Sequence, residues 1–215
     1  MYLRLFSAIL LAAVAGKAQA PAGRWDGTIQ FGSLKVPFRI DFEGTGSSFK
    51  GTLVNGDSLV PSTSGSFSDG KLRLSFDPSG AKLEATLADG ELKGSVNGSS
   101  YGSRPFTASA FCSCGFEGEA GPEIMGTWEV PGNGWRLEIR RKGEDTLATV
   151  SRSGDEVGPL TGRFDGAVFT LRYFDGRRAA VLEIERNKSG GLDLVWMEPG
   201  QDLKKFTAIS VKPKQ

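Results

Sequence analysis

Alternation of apolar and polar residues with a period of two is the feature that most limits the folds open to this chain. It recurs in short segments after residue 20, and Gly, Asp, Asn and Pro separate these segments. In 38–42, 72–76 and 83–87, every second residue is Phe, Leu, Ile or Ala. Such alternation is typical of strands with one buried and one solvated face. No later segment shows a sustained helical pattern, so the sequence predicts an all-β protein.

Tight turns account for many of the 30 glycines. Asn-Gly or Asp-Gly pairs occur at 55–56, 69–70, 89–90 and 97–98. These pairs supply the positive φ angle that two-residue hairpin turns require. Because hairpins join neighbouring antiparallel strands, the pattern predicts β-meanders and not phosphate-binding loops.

The same order of features occurs twice along the chain. The matching segments are 23–26 (GRWD) with 126–129 (GTWE), 38–42 (FRIDF) with 135–139 (WRLEI), and 106–108 (FTA) with 206–208 (FTA). We therefore infer two homologous units, 21–111 and 123–215. Residues 112–122, which hold a Cys-x-Cys pair and a Gly-rich stretch, join them.

Each unit is predicted to form about eight short strands in ~90 residues. In the first unit they lie near 24–31, 34–43, 48–54, 62–67, 71–76, 81–87, 91–96 and 104–111. Eight sequential antiparallel strands suit an up-and-down barrel, because closure removes exposed sheet edges. The expected fold is a tandem duplicated meander of two small eight-stranded barrels, lipocalin- or avidin-like in shape. The alternative is that both repeats pair into one larger sandwich or barrel.

Residues 1–20 have the features of a signal peptide. One Arg precedes an apolar run over 5–15, and Ala18-Gln19-Ala20 fits a small-x-small cleavage site. Cleavage after Ala15 is the alternative, and an uncleaved anchor or a buried helix is the competing interpretation. The run is shorter than the roughly 20 apolar residues that span a bilayer. We expect an exported protein, periplasmic or extracellular, whose mature form has no membrane segment.

The chain contains no His. This excludes Ser-His-Asp and Cys-His catalysis and His-ligated zinc. Lys and Arg number 26 against 25 Asp and Glu, with interleaved signs, so no basic surface for nucleic acid is expected. No cofactor or metal is predicted, and the chain is not expected to be an enzyme on its own.

Cys112 and Cys114 form the most distinctive local motif of the sequence. Three interpretations remain open: a strained, labile disulfide with a redox role, a thiolate pair holding a soft metal, or a local pair that fixes the corner between the units. The spacing is C-x-C, not the C-x-x-C at a helix start that lowers a thiol pKa. An autonomous oxidoreductase is therefore not supported.

Four tryptophans are the candidates for ligand contact. Trp25 and Trp128 occupy matched positions on the first strand of each repeat, where a Trp usually closes one end of a barrel core. Trp135 and Trp196 also read as core residues. If either barrel encloses a cavity, these four rings are expected to line it and to bind a small ligand.

Charged residues on the strands, among them two carboxylate pairs at matched positions of the repeats, are predicted to lie on the solvated strand faces. They are the carboxylates Asp41, Glu84, Glu138 and Glu183 and the arginines Arg24, Arg39, Arg136 and Arg163. We expect surface ion pairs between them, and no two carboxylates stand out as a catalytic dyad.

Several segments together resemble a known family: GRWDGTI, VPFRIDFEG, GTLVNGD, FTASAFCSCGF, GTWEVP and LKKFTA. Over 21–210 the chain is similar to the β-rich N-terminal region of exported TlpA-type thioredoxin-family disulfide reductases. In that family a thioredoxin-fold domain with W-C-x-x-C follows, and this motif is absent here. None of the family's catalytic residues can be carried over.

The resemblance implies a non-catalytic accessory module for periplasmic thiol–disulfide exchange, with a thioredoxin-fold protein as its partner. A free-standing relative, a split gene product and a truncation all remain open. Two other functions stay as alternatives: a lipocalin-type binder of a small molecule, and a redox-active protein that uses Cys112 and Cys114.

Overall fold

The computed structural model describes residues 19–112 and 121–211. The signal-peptide prediction therefore lies almost wholly outside the described residues, as do Cys114 and most of the segment between the units. Throughout the described ranges the regular structure is strands and one short 3-10 turn, Gly46–Ser48, so the prediction of an all-β protein is confirmed.

The first nine strands form one antiparallel sheet, curved into a half-barrel, with the order β4-β3-β2-β1-β9-β8-β7-β6-β5. All of them fall within the predicted first unit. Their bounds are β1 (Gly23–Phe31), β2 (Leu34–Glu43), β3 (Lys50–Asn55), β4 (Ser58–Pro61), β5 (Ser64–Ser68), β6 (Lys71–Phe76), β7 (Ala81–Ala88), β8 (Glu91–Gly98) and β9 (Gly102–Ala110).

The prediction of an eight-stranded barrel is wrong for this unit, because the sheet has nine strands and stays open. Its two edges, β4 and β5, are consecutive in the chain and run in the same direction. Between them Ser62 donates its N–H to Gly51 on one side, and Thr63 donates to Ser75 on the other. The chain thus passes from pairing with β3 to pairing with β6 at this corner, and the two edge strands never pair with each other.

The last eight strands form a closed antiparallel barrel, as predicted for the second unit. Its seam joins β10 to β17 through the pairs Trp128–Ser210 and Glu129–Ile209. The two halves therefore form two separate sheets and not one joint barrel. The bounds are β10 (Gly126–Val130), β11 (Trp135–Lys142), β12 (Asp145–Arg152), β13 (Asp155–Phe164), β14 (Phe169–Phe174), β15 (Ala179–Arg186), β16 (Leu192–Met197) and β17 (Lys204–Ser210).

The two units share the register of their first hairpin. Trp25 lies opposite Ile40 in the first sheet, and Trp128 lies opposite Leu137 in the barrel. Ile40 and Leu137 are the residues that the sequence repeat aligns. The backbone thus places the matched residues in equivalent positions.

The barrel interior is filled by its own side chains, which include Trp128, Leu137, Leu160 and Trp196. The core of the half-barrel, by contrast, draws on both units. Phe174, Ala179 and Val181, which lie on the outer wall of the barrel, belong to the same apolar cluster as the aromatic residues of β2. The ring of Phe174 lies 6.1 Å from that of Phe38. The outer wall of the second unit therefore completes the core of the first.

Candidate binding cleft at the junction of the two units

The turns at one end of the half-barrel hold the barrel in place. Tyr101 donates its hydroxyl to the carbonyl of Gly176 at 2.9 Å, and Ser100 donates to that of Arg177 at 2.9 Å. The carboxylate of Asp57 pairs with Arg140 and Lys142 of the barrel. At the centre of the junction, the side chain of Asn55 hydrogen-bonds to the backbone of Phe174.

Arg39 lies buried at this junction, with an exposed side-chain fraction of 8%. Its Nε donates to Asp26 at 2.8 Å, and its Nη1 lies 3.5 Å from Asp145 of the barrel. The guanidinium also lies 4.9 Å from the ring centroid of Phe111. The prediction of a surface pair is wrong for Arg39, because the barrel covers the outer face of β2 at this point.

Three arginines engage the four carboxylates of this region at hydrogen-bonding distance. Arg39 holds Asp26, and Arg24 holds Asp41 at 2.9 Å. Arg163 holds the neighbouring carboxylates of β12 and its preceding turn, which are Asp145 at 2.8 Å and Glu144 at 3.0 Å. The acceptors nearest to the junction are therefore already engaged.

Arg172 is the fourth arginine of the junction, and its donors are not satisfied in the same way. It projects from β14, and only 15% of its side chain is exposed. Its Nη2 is buried and has no hydrogen-bond partner among the described residues. The nearest carboxylate oxygen, Oδ1 of Asp26, lies 3.7 Å away. That distance exceeds the range of about 2.7–3.2 Å for an N–H···O hydrogen bond.

A cleft of about 270 Å³ opens beside Arg172. Its floor is the outer face of β1 and β9, where Thr28 lies directly opposite Thr107. Ser109 and Asp26 add further polar groups, and Glu91 also lines the cleft. A second cleft of about 350 Å³ shares Thr28 and Thr107 with the first, so the two adjoin along the sheet.

Electrostatics at the cleft favour an added acceptor. Burial lowers the pKa of Arg172 from its usual value, and the positive charge of Arg39 lowers it further. An arginine nevertheless stays protonated at neutral pH. A buried cationic donor without a hydrogen bond is costly, and an anionic group placed in the cleft would remove that cost.

The structure describes only part of the predicted cysteine site. Cys112 belongs to the described residues, whereas Cys114 does not, so the state of the pair stays a prediction. The preceding Phe111 donates its N–H to the carbonyl of Arg24 at 2.8 Å. The chain thus follows β1 up to the residue before Cys112 and leaves the sheet near the arginine network.

Trp25 and Trp128 are buried at equivalent places in the two cores. The indole Nε1 of Trp25 donates to the carbonyl of Ala22 at 3.3 Å, and that of Trp128 donates to Ile124 at 2.8 Å. Each ring thus ties the segment before the first strand to the core. Neither ring lines the junction cleft.

Trp135 and Trp196 meet edge to face at one end of the barrel, with ring centroids 5.5 Å apart. The guanidinium of Arg152 lies 5.3 Å from each ring and pairs with Glu198 at 2.8 Å. Burial raises the pKa of Glu198, but the hydrogen bond and charge of Arg152, together with Trp196 and the charge of Lys204, outweigh burial and hold that pKa below its usual value. These side chains close the barrel end with an aromatic and ionic cluster.

Two of the predicted surface carboxylates form the expected cross-strand pairs. Asp41 accepts both hydrogen bonds of the Arg24 guanidinium, and Glu84 lies 3.7 Å from Arg73 on the neighbouring strand. Both carboxylates lie on the outer face of the first sheet. The prediction of solvated ion pairs is confirmed for them.

The described residues contain no group of three or more potential metal ligands, and none of their helical segments has the length and apolarity to cross a membrane. Comparisons with protein-family models, with curated proteins and with solved structures found no match to this chain. The functional argument therefore rests on the site itself.

Sequence reasoning missed the central residue of the cleft. Arg172 stands in the strand sequence FTLRYF as one polar residue among alternating ones. The alternation of apolar and polar residues in this strand predicts a solvated position for Arg172. Only the packing of the barrel wall against the first sheet distinguishes it, and no local signal encodes that contact.

Proposed function

We propose that this protein is an exported, non-catalytic binding module whose ligand site is the cleft at the junction of its two β units. The observation that carries the proposal is Arg172, which lines a polar cleft and whose buried Nη2 has no hydrogen-bond partner among the described residues. A protein that only needed stability would gain by replacing such a group, since an unsatisfied buried donor is destabilising.

The junction also supplies the rigidity that a binding site requires. The cleft is formed by β1 and β9 of one unit and by β14 of the other, and buried hydrogen bonds fix the units against each other. A preorganised site loses less entropy when a ligand binds than a mobile one does. The interior of the barrel, by contrast, is occupied by side chains, which favours the outer cleft over a lipocalin-type cavity.

The partner that the resemblance implies, a thioredoxin-fold protein of the periplasm, fits this proposal as an accessory role. Cys112 follows β9, and β9 also lines the cleft. A ligand in the cleft and a partner at the cysteine pair would therefore engage the same strand. Chemistry would then be performed by the partner, and recognition by this chain.

The proposal is tested by blocking the cleft. Thr107→Trp places a large ring on the floor of the cleft, at an exposed position. Thr207→Trp is the matched control, because Thr207 occupies the equivalent position of the second repeat and is also exposed. Saturation-transfer NMR would screen a panel of neutral hexoses, hexuronates, amino acids and dicarboxylates.

We expect the wild type and Thr207→Trp to bind at least one compound class, and Thr107→Trp to bind none. Equal binding by all three proteins would overturn the cleft as the site. Absence of binding to the wild type at millimolar concentrations would overturn the binding function for these compounds and remove the basis for the proposal.

A further inference from the structure

The geometry of the cleft points to a ligand class, in an inference that rests on the proposed binding function. We propose that the cleft takes a hydroxylated monocarboxylic acid of monosaccharide size, whose carboxylate pairs with the guanidinium of Arg172. The proposal follows from the donor that is available, the acceptors that are occupied, the hydroxyls of the floor and the size of the space.

The guanidinium of Arg172 favours a planar anion. The fork of N–H groups on a guanidinium matches the two oxygens of a carboxylate, and such pairs are stronger than neutral hydrogen bonds. Asp26 does not fill this role, because its oxygens accept from Arg39 at 2.8 and 3.3 Å and lie beyond hydrogen-bonding distance of Arg172. Asp26 thus contributes an ion pair at 3.7 Å but no hydrogen bond to Nη2, and the carboxylate of a ligand would be the stronger partner for Arg172.

The floor of the cleft specifies hydroxyl groups. Thr28, Thr107 and Ser109 each present a hydroxyl, which is both a donor and an acceptor. Hydroxyls of this kind match the alcohol groups of a ligand without requiring a second charge. A fatty acid, which has a carboxylate and no hydroxyls, would leave them without partners.

The acidic side chains of the cleft limit how much negative charge the ligand can carry. Glu91 lines the same cleft, and its nearest partner is Lys93 at 2.9 Å. Asp26 also lines the cleft. A second negative charge would face these carboxylates, which disfavours dicarboxylates and phosphate dianions.

The cleft has room for a ligand of monosaccharide size. A volume of about 270 Å³ lies just below the range of roughly 300–1,000 Å³ that is usual for drug-sized ligands. A single sugar acid matches such a space without entering the adjoining cleft. We therefore take D-glucuronate as the probe, with D-glucose as its neutral counterpart.

The experiment is isothermal titration calorimetry of D-glucuronate, D-glucose and inorganic phosphate into the full chain. Four proteins are compared: the wild type, Arg172→Met, Arg172→Lys and the cleft-blocked Thr107→Trp. We expect wild-type binding of D-glucuronate with at least about tenfold higher affinity than that of D-glucose or phosphate. Arg172→Met should lose at least about tenfold in affinity, and Arg172→Lys should recover part of it.

A second readout separates loss of binding from loss of folding. Arg172→Met removes a buried charge with an unsatisfied donor, so we expect its free energy of unfolding in the absence of ligand to equal or exceed that of the wild type. A marked fall in stability would mean that Arg172 is structural and would overturn its role as a ligand-binding residue.

The other outcomes distinguish the inference from the function on which it rests. If D-glucose binds as tightly as D-glucuronate and Thr107→Trp abolishes both, the cleft binds but the carboxylate assignment is wrong. If phosphate binds best, the ligand is an inorganic or phosphorylated anion and the assignment is equally wrong. If none of the probes binds the wild type, the proposed ligand class is overturned.

Discussion

Asn55 and Phe174 form a buried pair in which one side-chain amide satisfies both backbone groups of the other residue. The Nδ2 of Asn55 donates to the carbonyl of Phe174 at 2.9 Å, and the N–H of Phe174 donates to Oδ1 of Asn55 at 3.0 Å. One residue ends β3 of the half-barrel and the other ends β14 of the barrel. The amide therefore acts as a strand partner across the junction.

Removing this amide should destabilise the whole chain. Asn55→Ala leaves the N–H and the carbonyl of Phe174 buried without partners, and we expect a loss of about 2–4 kcal/mol in the free energy of unfolding. Asn97→Ala is the matched control, since Asn97 lies one residue before the end of β8 in the same sheet and its side chain makes no hydrogen bond among the described residues. Urea denaturation would measure the free energy of unfolding of both variants. An equal free energy of unfolding for Asn55→Ala and Asn97→Ala would contradict the role of Asn55.

The two halves should differ in their ability to fold alone. The barrel contains its own core, whereas the half-barrel lacks Phe174, Ala179 and Val181 when it is cut off. We expect a fragment of 121–215 to unfold cooperatively and a fragment of 21–112 to remain largely unfolded until the barrel is added. Circular dichroism and denaturant titration would measure this. Cooperative unfolding of the isolated first fragment would contradict the shared core.

The ion pair between Glu198 and Arg152 should make stability depend on acidic pH. Because the pKa of Glu198 is lower in the folded chain than its ordinary value of 4.5, the pair contributes fully above that value. The contribution is lost as the pH falls through the lower folded pKa. We expect Glu198→Gln to cost about 2–3 kcal/mol at neutral pH and progressively less under acid conditions.

Glu138→Gln is the control for this titration. Glu138 is exposed and lies 3.6 Å from Arg136, so its replacement should change stability by less than about 0.5 kcal/mol at any pH. Unfolding free energies would be measured from neutral to strongly acidic pH. The difference between the wild type and Glu198→Gln should shrink as the pH falls, whereas the difference for Glu138→Gln should stay small throughout. A constant difference from the wild type would mean that Glu198 acts through packing and not through its charge.

The alternative of a redox-active protein predicts thiol–disulfide exchange at Cys112 and Cys114. In the oxidised protein, the thiolate of a thioredoxin attacks one sulfur of a Cys112–Cys114 disulfide, forms a mixed disulfide and releases the other sulfur as a thiolate. A thioredoxin whose resolving cysteine is replaced by Ser should therefore be trapped on this chain. Replacing both Cys112 and Cys114 by Ser should abolish the adduct in non-reducing gels. Alkylation of both thiols in an oxidising buffer would contradict the prediction.

The alternation of side chains predicted most of the strands, because each buried position is encoded by its own residue. It missed β4, where Leu59 is exposed and the apolar alternation is weak. It also did not predict the open edge at Ser62 and Thr63, since the corner is created by long-range hydrogen bonds to two different strands. Closure of the second unit was predicted correctly from eight sequential antiparallel strands, whereas the same argument was wrong for the first unit.

The candidate cleft was beyond sequence reasoning for a related reason. Arg39 and Arg172 carry the signature of solvated strand positions, and each is covered only because the outer wall of one unit packs on the other. Trp25 and Trp128 were predicted as core residues and are buried, because large rings find a core in either unit. The burial of an apolar ring can be predicted from the residue itself, whereas the contact between two polar strand faces cannot be predicted from the sequence of either strand.

Chemical-shift mapping of D-glucuronate on the 15N-labelled protein tests the central claim most directly. The account predicts shifts at the backbone amides of Thr28, Thr107 and Arg172, and none at the indole N–H groups of Trp135 and Trp196. Shifts confined to those two indoles would place the ligand at the barrel end and contradict a binding site at the junction.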